Sequence, residues 1–171
     1  MILIGLGANL PSALGPPQAT LTAALAALEG AGVCILARSR WYRSEAIPAS
    51  DQPWFVNAVA ALATTLDPAA LMRLLHCVEA SFGRERQSRN EARPIDLDLL
   101  DFDGLVQDGD GGPILPHPRL HLRTFVLLPL AEIAPQWRHP RFGLTVAALL
   151  AALPPGQTAE PLPADAAPPR R

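Results

Sequence analysis

The chain has 171 residues, 49% of them hydrophobic, with 14 basic against 16 acidic side chains and a net charge of -2. That is enough apolar material for one fold of ordinary domain size without metal or disulfide staples, although 29 positions are alanine and the core side chains are modest. The charge balance excludes a basic nucleic-acid coat, a polybasic membrane binder and an acidic disordered chain. All 14 basic residues are arginine, which also excludes a Walker A phosphate loop, a Schiff-base lysine and a β-lactamase-type lysine.

Met1 to Gly7 is an apolar run ending at glycines and predicts a buried first strand. It lacks the basic lead of a signal peptide and the length of a membrane span, so a cytoplasmic protein that contacts no membrane is expected. Leu21, Leu25 and Leu28 predict a helix over residues 19–29, ended by Gly30 and Gly32. A strand over 33–42, a proline-rich loop over 43–53 and a long strand over 54–66 follow. Asp67-Pro68 caps a second helix whose stripe is Leu71, Leu74, Leu75, Val78 and Phe82, stopping at Gly83. Residues 84–93 form an arginine-rich loop and 95–102 a strand; Asp103-Gly104 is a turn, and Leu105-Val106 starts a short return strand. Residues 107–118 are loop, 123–133 a helix with Pro129 near its first turn, and 146–153 a last short helix. One domain over 1–153 is expected, with a disordered proline- and alanine-rich tail over 154–171. Cys34 and Cys77 lie in apolar runs and are expected to be buried free thiols in a reducing compartment. The element order suits an α+β, ferredoxin-like sandwich, with a mostly antiparallel sheet and helices on its faces.

Residues 84–110 hold 12 of the 30 charged side chains. Alternation along a strand places Asp96 and Asp98 on one side with Leu100 and Phe102, and Ile95, Leu97 and Leu99 behind. Two neighbouring carboxylates on an apolar strand repel and are costly to desolvate unless a cation neutralises them, and magnesium takes such hard oxygen ligands together with phosphates. Arg84, Arg86, Arg89 and Arg93 just upstream supply bidentate donors for phosphate oxygens. Together they point to phosphoryl or nucleotidyl transfer. Asp101, Asp103, Asp108 and Asp110 are read as ordinary turn and loop residues. Asn9 is a candidate binding-loop residue, although Gly5-Leu-Gly-Ala-Asn9-Leu is too short of glycines for a dinucleotide fingerprint. In Asp51-Gln-Pro-Trp-Phe-Val-Asn57 an aromatic ring stands beside an amide, a pair suited to stacking on a heterocycle and reading its edge.

The stretch Arg89-Asn-Glu-Ala-Arg93-Pro-Ile-Asp96-Leu-Asp98-Leu-Leu100 resembles the signature of the 6-hydroxymethyl-7,8-dihydropterin pyrophosphokinases. Gly5 to Leu10, Tyr42-Arg43-Ser44, Asp51 to Asn57, Gly83-Arg84-Glu-Arg86, Leu115-Pro-His117-Pro-Arg119 and Arg123-Thr-Phe125 extend the resemblance to about Pro135. It implies transfer of diphosphate from ATP to the hydroxymethyl group of a reduced pterin, releasing AMP, by a monomer that binds no nucleic acid. By the same resemblance Asp96 and Asp98 hold two Mg2+ ions, and Arg84 and Arg93 neutralise the transferring group. Arg86, Arg89, His117 and Arg123 grip ATP, with Glu79 on the adenine side or anchoring the loop. Phe55 and Phe125 sandwich the pterin, Asn57 reads its edge, and Ser44 and Ile47 line its pocket. The chain departs from the family pattern at Glu91, where a glycine is usual, at Asn90, near which an aromatic is often found, and at Phe55, where tyrosine is common. Two other readings fit parts of the pattern: a magnesium-dependent nucleotidyl transferase or cyclase using the same aspartates, and an RNA-binding module on a similar sandwich. The first needs no Phe55/Asn57 pocket, and the second calls for a basic sheet surface.

Overall fold

The computed structural model describes residues 1–47, 50–84, 91–109 and 111–163. Its chain order is β1 (Ile2–Ala8), α1 (Pro17–Gly30), β2 (Cys34–Arg38), β3 (Tyr42–Ser44), β4 (Phe55–Ala63), α2 (Pro68–Ser81), β5 (Asp96–Phe102), β6 (Gln107–Asp108), β7 (Ile114–Leu115), α3 (Thr124–Ile133), α4 (Val146–Ala151) and β8 (Ala159–Pro161). Six strands form one sheet in the order β5-β1-β4-β3-β8, with β2 also paired to β4, and every pairing is antiparallel. This is the α+β sandwich expected, with the ferredoxin-like strand order at its centre.

Both faces of the sheet are apolar, and each is covered. Leu21, Leu25 and Leu28 of α1 and Leu71, Leu75 and Val78 of α2 pack on Ile4, Leu6, Leu97 and Leu99. On the other side Val126, Leu127 and Leu130 of α3 and Leu149 of α4 pack on Leu3, Val59 and Leu100. Each leucine so enclosed contributes about 2 kcal/mol. Local signals set the helix ends: the Asp67 side chain accepts from the Ala70 N–H at 2.7 Å, Pro68 opens α2, and Gly83 at φ +80° closes it. Pro129 lies in the middle of α3 rather than near its first turn. Burial of Val126, Leu127, Pro129 and Leu130 holds the helix despite the missing N–H.

Several expectations are corrected. The strand expected over 33–42 is two strands, both laid against β4. Asp103-Gly104 does turn the chain, with both residues at positive φ, but Leu105-Val106 begins no return strand; Gln107–Asp108 pairs instead with Ile114–Leu115 in a separate ribbon. Cys34 and Cys77 are exposed, not buried. Residues 154–163 are ordered in structure: Ala159–Pro161 pairs with β3, and the Leu162 N–H donates to the Trp41 carbonyl at 2.7 Å.

The alternation along β5 also changes partway. Opposite Leu3 and Ile4 of β1 the register skips Leu100, a bulge that adds one residue to β5. Asp96, Asp98 and Leu100 share the α3 side as expected, but Phe102 packs on the α1/α2 side with Leu97 and Leu99. Asp101 is not an exposed turn residue. It is 2% exposed and accepts from Trp137 Nε1 at 2.7 Å and from the Gly104 N–H at 3.2 Å.

His139 lies beyond Trp137, stacked on Phe142 at 4.2 Å and edge-on to His121. Burial, with His121 and Arg141 nearby, lowers its pKa from 6.5 to about 4. The unfolded chain takes up this proton near pH 6.5 and the folded chain only near 4, so stability is full above 6.5 and falls as the pH drops between the two. After solvent screening the loss is worth about 2 kcal/mol. His139→Phe should therefore narrow the difference between urea midpoints measured at pH 7 and pH 4.5. An unchanged difference would assign the pH dependence to other groups.

Candidate active site

A cleft opens on the α3 side of the sheet, floored by β1 and β5 and walled by β3, β4 and the start of α3. Asp96 and Asp98 of β5 face into it, as do Arg93, Arg123, Phe55, Phe125, Asn57, Ser44 and Ile47. Nine of the residues singled out in the sequence thus meet in one place. His117 approaches from the far side, its Nε2 lying 4.0 Å from Asp98 Oδ2. Glu79 and Arg84 stand behind Asp96, at the end of α2. Arg86 and Arg89 lie outside the described residues, as does Asn90.

The two carboxylates differ in their surroundings. Asp96 pairs with Arg84 through one oxygen and with Arg93 Nη2 at 3.0 Å through the other. Burial pushes its pKa up and the Asp98 charge adds to this, while Arg93 and Arg84 pull it back. Asp98 is more open, its side chain 37% exposed, with Arg123 Nη1 at 3.6 Å from Oδ2. Arg84 bridges Asp96 to Glu79; burial acts to lower its pKa, but the two carboxylates outweigh that and raise it. Glu79 is 1% exposed and also accepts from the Leu97 N–H at 2.8 Å. It is therefore part of the support beneath Asp96.

Burial holds the His117 pKa below its usual value, with Asp98 opposing and Arg123 and Arg119 reinforcing. Its Nδ1 accepts from the Arg119 N–H at 3.2 Å, so the neutral ring carries its proton on Nε2, toward Asp98. Burial likewise lowers Arg123, whose guanidinium lies 5.4 Å from the centre of the Phe125 ring. Arg93 lies 5.6 Å from the Phe55 ring, and its Nε is buried without a hydrogen-bond partner among the described residues. At the other end Asn57 donates from Nδ2 to Ser44 Oγ at 2.9 Å, both side chains being buried. That bond fixes the amide plane at the edge of the apolar slot.

Two contributions escaped the sequence reading. Gly7 pairs with Asp96 on one side and Asn57 on the other, and Gly5 pairs with Asp98. A Cβ at Gly7 would stand 3.3 Å from Asn57 Oδ1, so its bare backbone keeps the floor open beneath the amide. The signal was two glycines spaced by two on a strand, which strip one face. Asn9, a candidate for ligand binding, is instead a clasp. Its Oδ1 accepts from the Arg93 N–H at 2.7 Å, and its Nδ2 donates to Gln52 Oε1 at 3.2 Å and the Pro53 carbonyl at 3.1 Å.

The match to known proteins agrees with this geometry. The family model described as 7,8-dihydro-6-hydroxymethylpterin-pyrophosphokinase covers residues 3–135. A 2-amino-4-hydroxy-6-hydroxymethyldihydropteridine pyrophosphokinase of Synechocystis is 40% identical over 149 residues, spanning 86% of this chain and 73% of the relative. One of the same name from Pseudomonas aeruginosa is 39% identical over 154 residues, covering 90% and 91%. A mitochondrial folate synthesis bifunctional protein of Arabidopsis thaliana is 34% identical over 132 residues, which are 77% of this chain but 23% of that larger protein. The chain belongs to the 7,8-dihydro-6-hydroxymethylpterin-pyrophosphokinase family.

Proposed function

We propose that the cleft above β5 is where this pyrophosphokinase moves the β,γ-diphosphate of ATP to the hydroxymethyl oxygen of 6-hydroxymethyl-7,8-dihydropterin, releasing AMP in folate biosynthesis. The observation that carries this reading is the meeting, in one cleft, of a carboxylate pair and two arginines with an aromatic slot edged by an amide. A phosphate donor and a flat heterocycle need those two halves side by side.

The family works with ATP and a divalent metal, and the residues present suit one. Asp96 and Asp98 offer hard oxygen donors side by side, and the elevation of the Asp96 pKa by burial and by Asp98 is the repulsion a divalent cation relieves. We read the pair as the ligands of two magnesium ions, which when bound offset phosphate charge and polarise phosphoryl oxygens. The chain's own groups do the rest. Arg93 lines the cleft and in this reading meets an anionic oxygen of the transferring group. Arg84 fixes the Asp96 carboxylate, and in this reading also steadies the transferring group. Arg123 and the Nε2–H of neutral His117 donate beside Asp98 to the ATP phosphates, joined by Arg86 and Arg89. Phe55 and Phe125 give apolar faces for the pterin ring, Asn57 reads its edge, and Ser44 and Ile47 complete the slot. Such positioning lets the alcohol attack without a strong dedicated base. No helix among the described residues is long and apolar enough to cross a membrane. The exposed free thiols Cys34 and Cys77 favour a reducing cytoplasm, and one copy of the chain supplies the whole cleft, as a monomer would.

The test is product analysis after mixing the protein with ATP, magnesium and the reduced pterin alcohol. AMP and a pterin diphosphate are expected in equal amounts. Pyrophosphate release would support nucleotidyl transfer instead, and ADP release a simple kinase.

A further inference from the structure

The start of α3 carries both Arg123 and Phe125, and its own sequence does little to hold it. Arg123 occupies the cap position without a side-chain cap bond, and no acidic residue lies in the first turn. The partner comes from the C-terminal segment. Gln157 Oε1 accepts from the Thr124 N–H at 2.9 Å, and Gln157 Nε2 donates to the Leu122 carbonyl at 2.9 Å. One side-chain amide therefore grips the backbone on both sides of Arg123. Only a group that accepts at one end and donates at the other meets both demands.

Gln157 is itself held. Two residues further on, Ala159 pairs with Ser44, and Glu160 pairs with Arg43 in the ladder and by an ion pair at 2.7 Å. Leu162 is tied to Trp41 and packs against the α1/α2 core. The segment after Leu153 thus joins the strand that leads to Ser44 and Ile47 to the helix that presents Arg123 and Phe125. These are two walls of the same cleft.

We infer that Gln157 is a positioning residue for diphosphate transfer, fixing the turn that aims Arg123 and Phe125 into the cleft; this rests on the reading of those two residues as substrate contacts. It touches neither substrate, and it acts through the backbone at Leu122 and Thr124.

The test measures AMP release at saturating ATP and varied pterin for Gln157→Leu, Gln157→Asn and Gln157→Glu, beside thermal melting of each. Gln157→Leu removes both bonds and should raise the pterin KM about tenfold, with kcat lowered less than about threefold. Gln157→Asn is one methylene too short and should do the same, which serves if the leucine variant does not fold. Gln157→Glu still accepts from the Thr124 N–H but cannot donate to the Leu122 carbonyl and sets a second acceptor against it, so its KM should rise as well. Parental KM in the leucine and asparagine variants would overturn the inference, as would parental KM in the glutamate variant. Phe125→Ala separates the two levels. If it raises the pterin KM while the Gln157 variants do not, the clamp alone is wrong; if it leaves KM unchanged, the reading of the cleft is wrong.

Discussion

Asp98→Asn is expected to lower kcat by about a thousandfold while leaving the fold intact. The side chain is 37% exposed and its nearest cationic neighbour among the described residues is Arg123 Nη1 at 3.6 Å, so the neutral isostere disturbs little packing. The stability change should stay within about 1 kcal/mol, the range of partly exposed ion pairs. What is lost is the negative charge beside Arg123 and His117 and, in the proposed reading, one of two hard oxygen ligands. Steady-state AMP release and urea unfolding, measured on the same preparation, separate the two effects. A variant that keeps a tenth or more of the parental kcat would remove Asp98 from the reaction.

Glu79→Ala should act in the opposite way, through the fold. Its carboxylate is 1% exposed, accepts from the Leu97 N–H and pairs with Arg84, which in turn pairs with Asp96. Truncation leaves a buried N–H unpartnered and takes from Arg84 one of its two carboxylates, a cost of about 3–5 kcal/mol. Glu79→Gln keeps an acceptor for Leu97 and removes only the charge, so its loss should be about half as large. Urea midpoints rank the two variants. If alanine costs less than about 1 kcal/mol, the Glu79-Arg84-Asp96 chain does not support the β5 carboxylate.

The outline of the fold and most of the cleft were legible in the sequence, for identifiable reasons. α2 carried its own cap, proline and stripe, and Asp96 and Asp98 needed only the two-residue period of a strand to be placed together. What was hidden depended on partners far along the chain. The bulge at Leu100 arises from pairing with β1, so alternation alone carried Phe102 to the wrong face and left Asp101 looking like a turn residue. The strand in Ala159–Pro161 exists because β3 offers it an edge, while its composition reads as disorder. Asn9 shows the same limit in a single residue. Its side chain looked available for a ligand, but Arg93, Gln52 and Pro53, each distant in sequence, consume it.

That clasp has a mechanical consequence. The segment bearing Arg93 and the segment leading to Phe55 meet on one amide, so the position of each depends on the other. Arg93 also stands over the Phe55 ring. In the proposed reading these contacts tie the phosphate-facing arginine to the wall of the pterin slot, so a substitution aimed at one substrate should also be measured for the other.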